Sequence, residues 1–114
     1  MNKQFNGRDF QFWEYRVSHG QLLIRSPKSP TQDVNVDLVF AGVEYAALPR
    51  HLLELKIEDA TELDVSVVAE RLGRPVKKNT ITILIAQGTR HIVVAAAVKV
   101  AESNMDIFDS PFPK

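Results

Sequence analysis

"NTITILIAQGTRHIVVAAAVKV", residues 79–100, decides the fold. It is a run of strand formers interrupted once, at Gly88. Isoleucine, valine and threonine fit a pleated, packed surface better than a helix. With Gly88-Thr89 as a two-residue loop, Ile85 faces Ile92, Ile83 faces Val94 and Ile81 faces Ala96. On the other side Leu84 faces Val93 and Thr82 faces Ala95. Both faces are apolar, so this hairpin belongs in a sheet covered on both sides, or in an interface. Ala95, Ala96 and Ala97 are poor strand formers and suit a place where another element comes close. Alanine also favours helix, which makes 91–102 a competing helical segment. Ile92, Val93 and Val94 ahead of the alanines favour the strand.

Just upstream lies the one good helix, "DATELDVSVVAERLGRP", residues 59–75. Asp59 or Thr61 is the candidate N-cap, with Glu62 and Asp64 in the first turn. Leu63, Val67, Val68 and Leu72 form a stripe at near-helical spacing. Gly73 followed by Pro75 stops the helix. Before it, Leu53, Leu55 and Ile57 alternate with Glu54, Lys56 and Glu58, which predicts a strand over 52–59 with a charged outer face. Earlier still, Val34, Val36, Leu38 and Phe40 alternate with Asn35, Asp37 and Val39, which predicts a half-buried strand. The apolar parity switches at Ala41-Gly42, as a β-bulge would require.

The N-terminal third supplies a second hairpin, "FQFWEYRVSHGQLLIRSP", residues 10–27. With His19-Gly20 as the loop, Val17 pairs with Leu22 and Tyr15 with Ile24, while Glu14 faces Arg25. Trp13 continues the face of Tyr15, and Phe10 and Phe12 take the opposite one. "SPKSPTQD", residues 26–33, is a loop, because its prolines cannot donate to a ladder. These elements predict an α+β fold: a twisted, mainly antiparallel sheet of about six strands with one helix packed on it. A chain of 114 residues makes one domain, 1–114. Its N-terminus (1–8) and C-terminal tail (103–114) are the stretches least committed to structure. The tail, "ESNMDIFDSPFPK" from Glu102, either docks its apolar residues on the body or stays loose.

Composition narrows function by exclusion. Fourteen basic residues balance fourteen acidic ones, so nothing draws the whole chain to nucleic acid or to an anionic membrane. There is no cysteine, hence no disulfide, thiolate nucleophile or cysteine-bearing metal site. "MNKQFNGRDF" has no apolar stretch and is not a signal peptide, and residues 91–100 are too short to span a bilayer. A soluble, cytoplasmic protein is expected.

No phosphate-binding glycine loop or nucleophile elbow is present. Ser18 and His19 are adjacent in a turn, where their side chains diverge. His19, His51 and His91 have no mutual metal-ligand spacing, and a three-histidine site would need both hairpin tips at one end of the sheet. Glu54, Glu58, Asp59, Glu62 and Asp64 read as a solvated strand face and a helix start. Arg71, Arg74, Lys77 and Lys78 read as a solvated helix end, with a phosphate or acidic-partner patch as the alternative. No catalytic residue, metal or cofactor is expected.

The remaining feature is the aromatic cluster of Phe10, Phe12, Trp13 and Tyr15, the candidate binding residues. Trp13 and Tyr15 suit a core; Phe10 or Phe12, if exposed, suits a protein partner. The expected function is that of a small non-catalytic interaction module binding a protein partner or itself. Bacterial toxin-neutralising immunity proteins offer an analogy of class. The alternative is a small-molecule binder or enzyme with a pocket between sheet and helix, lined by Trp13, Glu14, Tyr15 and His91.

Overall fold

The computed structural model describes residues 1–112; Pro113 and Lys114, at the end of the predicted tail, lie outside them. Eight strands form one sheet: β1 (Lys3–Gln4), β2 (Asp9–Arg16), β3 (Gln21–Ser26), β4 (Asn35–Ala47), β5 (His51–Leu53), β6 (Lys56–Asp59), β7 (Ile81–Ala86) and β8 (Thr89–Ser103). One helix, α1 (Glu62–Leu72), joins β6 to β7. The sheet order is β1-β6-β7-β8-β4-β3-β2-β5, and every pairing is antiparallel.

The α+β class stands, but the sheet has eight strands rather than about six. The physical reason is two interruptions. The predicted strand 52–59 breaks at Glu54, whose φ is +52°, giving β5 and β6. Ahead of β2, Lys3 and Gln4 pair with Ile57 and Lys56 as a further short strand. The order also has a consequence for shape. Its two ends are neighbours along the chain, since β1 leads into β2 and β5 into β6. The seam between them is hydrogen-bonded: Phe5 N–H to Leu55 O (2.8 Å), Glu54 N–H to Arg8 O (3.4 Å) and Phe12 N–H to Arg50 O (2.8 Å). The sheet therefore curls into a barrel, which removes most of its free edges.

Inside the barrel sit Phe10, Leu22, Ile24, Leu38, Phe40, Leu52, Leu55, Ile57, Leu84 and Val93, all 0–1% exposed. Phe5 meets Phe10 edge-on, with ring centres 5.1 Å apart. Outside it, α1 lays Val68, Val65 and Leu72 on Ile81, Ile83, Ile92 and Val94. Strand β7 thus has Leu84 and Ala86 in one core and Ile81 and Ile83 in the other. This accounts for its apolar residues on both faces, as the sequence predicts.

The hairpin registers differ from the predicted ones by two residues. Ile83 faces Ile92 and Ile81 faces Val94, around a Gln87-Gly88 turn in which both residues have positive φ, +52° and +76°. That is the geometry that matches strand twist in a two-residue hairpin. A two-residue shift keeps each side chain on its predicted face. In the first hairpin Tyr15 faces Leu22 and Arg16 faces Gln21, because Val17–Gly20 form a longer 3-10 turn. There the register also slips between Phe12 and Glu14. The bulge at Trp13 puts Phe12 opposite Ile24 and Gln11, not Glu14, opposite Arg25. Trp13 accordingly does not share the face of Tyr15. In β4 the expected bulge lies just beyond Gly42, between Val43 and Tyr45. Gly42 has φ +65°, and a Cβ there would come within 3.0 Å of the Ala96 Cβ.

Helix α1 begins with a capping box. The Thr61 hydroxyl accepts from Asp64 N–H (3.2 Å) and the Asp64 carboxylate accepts from Thr61 N–H (2.8 Å). Arg90 adds a 2.6 Å bond to the same carboxylate. Gly73, with φ +70°, ends the helix. Of the predicted stripe, Leu63 faces solvent at 73% exposed, and Val65 takes its place against the sheet.

Two outcomes follow from this packing. Phe10→Ala lowers unfolding free energy by about 3–5 kcal/mol in urea titration, whereas Phe12→Ala, whose ring is already part-exposed, costs markedly less. Burial pushes the Asp64 carboxyl up, but the hydrogen bonds from Thr61 and Arg90 outweigh it and hold the group below its usual value. The stabilisation from Asp64 is therefore present above about pH 4 and disappears as pH falls through the depressed value. Asp64→Asn is less stable than the parent at neutral pH, and the gap narrows as a urea series moves into acid.

Candidate functional site

The four aromatic candidates are separated by the barrel wall. Phe10 is fully buried inside and serves the core. Phe12 and Tyr15 are 40% and 45% exposed. With Leu22, Val43, Glu44, Tyr45 and Ala46 they line a shallow depression of about 290 Å³. It lies where β4 leaves β3. Strand β3 pairs with β4 only from Val36 to Phe40. From Val43 to Ala47, β4 pairs with β8 alone. At Val43 its other side is covered by the first hairpin's turn, where Gly20 lies against the Val43 backbone; from Tyr45 to Ala47 no strand among the described residues pairs with that side. The depression thus combines two accessible rings with a short open strand edge at the mouth of the barrel.

Trp13 sits on the outer wall, half-buried, under the C-terminal tail. Its ring lies 6.4 Å from that of Phe108 and 5.8 Å from the Arg25 guanidinium carbon. Arg25 is fully buried, 0% exposed. It and Asp37 are directly opposed on β3 and β4. Their pairing is two-pronged: Nε to Oδ1 at 2.7 Å and Nη2 to Oδ2 at 2.9 Å. The remaining Nη1 donates to two tail carbonyls, Ile107 (2.9 Å) and Asp109 (2.6 Å). A buried charge without such partners would be costly. Beside it, Glu14 accepts from Ser110 (2.7 Å) and Arg16 (2.8 Å), and Phe112 is buried beneath the Arg16 guanidinium. Burial pushes the Glu14 carboxyl up, and these two partners more than reverse the shift, leaving it below its usual range. The tail through Phe112 is therefore docked on the body.

The other sequence candidates do not converge. His51 contacts Asp9 (3.2 Å) in an exposed pair. His19 caps the first hairpin in the left-handed region, with φ +64°. His91 lies opposite Leu84, and burial pushes its imidazole down. Among the described residues no three His, Asp or Glu side chains are grouped to hold a metal ion. Trp13, Glu14, Tyr15 and His91, the four lining residues of the pocket reading, do not meet in one cavity: Tyr15 is at the barrel mouth, and Trp13 and Glu14 are under the tail. Of the basic cluster, Arg71 donates to the Tyr45 hydroxyl (3.1 Å), Arg74 pairs with Glu44 and Lys78 with Glu62 (3.2 Å). No helix among the described residues is long and apolar enough to cross a membrane.

Sequence reasoning passed over Arg25 by pairing it with Glu14 across the first hairpin. The usable signal was Asp37, an acid set inside the apolar alternation of "VNVDLVF". No protein-family model, curated protein or solved structure matches this chain.

Asp37→Ala strands the Arg25 guanidinium and lowers stability by about 3–5 kcal/mol in urea titration. Truncation after Asn104 uncovers Trp13, the only tryptophan, and its fluorescence maximum moves to longer wavelength while the barrel remains folded by circular dichroism.

Proposed function

We propose that this chain is a non-catalytic protein-interaction module that engages a protein partner, or a second copy of itself, through the sheet and aromatic surface at the barrel mouth. The observation that carries this reading is the proximity of Phe12 and Tyr15, both accessible, to the Tyr45–Ala47 edge of β4, which pairs with β8 alone. An extended segment laid along that edge gains backbone hydrogen bonds, and the two rings supply the apolar anchor beside it. Tyr15 suits this role because its hydroxyl stays wet while its ring covers apolar surface. The two chemistries are adjacent, as strand-addition sites require.

A photo-crosslinking residue placed at position 15 tests the reading in cells that make the protein. It is expected to yield an adduct of discrete mass that disappears when Phe12→Ala is added. The same residue at position 63, exposed on the helix, is expected to yield none. Absence of an adduct at position 15, or equal labelling at both positions, rejects the proposal.

A further inference from the structure

The tail presents a second, separate feature. Within "NMDIFDSPF", residues 104–112, Phe108 is 81% exposed. It is nevertheless held in place from both sides. Asp109 N–H closes a turn on Asp106 O (2.9 Å), and the Asp106 carboxylate accepts from Phe108 N–H (2.9 Å). The carbonyls immediately before and after Phe108 both accept from the buried Arg25. Arg25 is itself fixed by Asp37. An aromatic ring at the apex of a turn clamped this way is a pre-organised anchor, which loses little freedom on insertion into a pocket. Asp106 and Asp109 flank it, and the Asp109 carboxylate makes no ion pair among the described residues.

The same molecule carries a cleft of matching chemistry. Between the α1–β7 connection and strands β4 and β8 lies a cleft of about 290 Å³. Pro75, Val76, Val94, Ala95 and Ala96 supply its apolar lining, and Glu44, Arg74, Lys77 and Thr80 its polar lining. Gly42 and Ala96 meet at its lining, and a Cβ on Gly42 would come within 3.0 Å of the Ala96 Cβ. The cleft is open to solvent on one side, and its volume exceeds the roughly 150 Å³ of an enclosed cavity that holds benzene, which leaves room for a phenyl ring against its apolar residues. Arg74 lines the cleft but is engaged by Glu44, whereas Lys77 makes no ion pair among the described residues.

We propose that this cleft receives Phe108 of a second copy of the chain, with Asp109 of that copy meeting Lys77. The two patches differ, so the contact is head-to-tail and propagates into rings or open chains rather than stopping at a symmetric pair. A formal net charge of zero leaves no long-range repulsion between copies. The inference goes beyond the barrel-mouth reading, because it uses neither Phe12 nor Tyr15.

Sedimentation velocity from micromolar to millimolar protein tests it. The weight-average mass of the parent is expected to rise with concentration, and less steeply at high salt. Phe108→Ala and Lys77→Glu, both at exposed positions, are each expected to weaken association at least about tenfold. An equal mixture is diagnostic. Phe108→Ala retains its cleft and Lys77→Glu retains its ring, so together they form a 1:1 dimer that grows no further. A parent that stays monomeric throughout overturns the proposal, as does a mixture no heavier than its components or a variant that assembles like the parent. The double variant Phe12→Ala/Tyr15→Ala is expected to assemble normally, which separates this contact from the barrel-mouth one.

Discussion

The seam between residues 3–12 and 50–57 is the constraint on which the rest of the structure depends. Without it the sheet would be an open, twisted ribbon with β1 and β5 as bare edges. With it, Phe10, Leu52, Leu55 and Ile57 become the closing wall of an enclosed interior. Their burial gives the barrel one core, while α1 builds a second on the outside of β7 and β8. A six-residue strand sandwiched between two cores explains why the hairpin 79–100 carries so few polar side chains.

The interior and the outer wall obey different rules. Inside, packing of apolar side chains does the work. On the outer wall of β2, β3 and β4, a charged group is buried by wrapping it. Arg25, Asp37, Trp13 and the tail form one unit, and among the described residues no buried side-chain polar atom lacks a hydrogen-bond partner. A half-satisfied version of this unit would be worse than an apolar one. The tail is thus part of the fold, and its order is the reason Phe108 is held at a fixed place on the surface.

Local chemistry made the helix legible from sequence: Thr61, Asp64 and Gly73 mark its ends whatever surrounds it. Alternation exposed the strands, and parity survived the wrong choice of turn, because a two-residue slip leaves faces unchanged. Gln87 in a left-handed conformation was not readable, since Gly88-Thr89 is an equally plausible loop by residue type. Nor was the bulge at Trp13, which no glycine announces. That single extra residue moved Trp13 to the outer wall and joined Phe12 to the face of Tyr15. The closure was hidden for another reason: it pairs segments some fifty positions apart across a break at Glu54. Of the candidate site, Phe12 and Tyr15 were legible as aromatic strand residues, while the open edge beside them depends on where β3 ends.

The clamp on Arg25 also sets an order of events during synthesis. Strand β3 emerges early, but two of the acceptors its guanidinium needs are the carbonyls of Ile107 and Asp109, more than eighty positions later. Strand β8, which flanks β4 along most of its length, emerges late as well. In a ribosome-bound chain short of residue 109 Asp37 can already take Nε and Nη2, but Nη1 lacks both of its carbonyl acceptors. This wall is completed only once residues 107–109 have been made, and until then Trp13 lacks its cover.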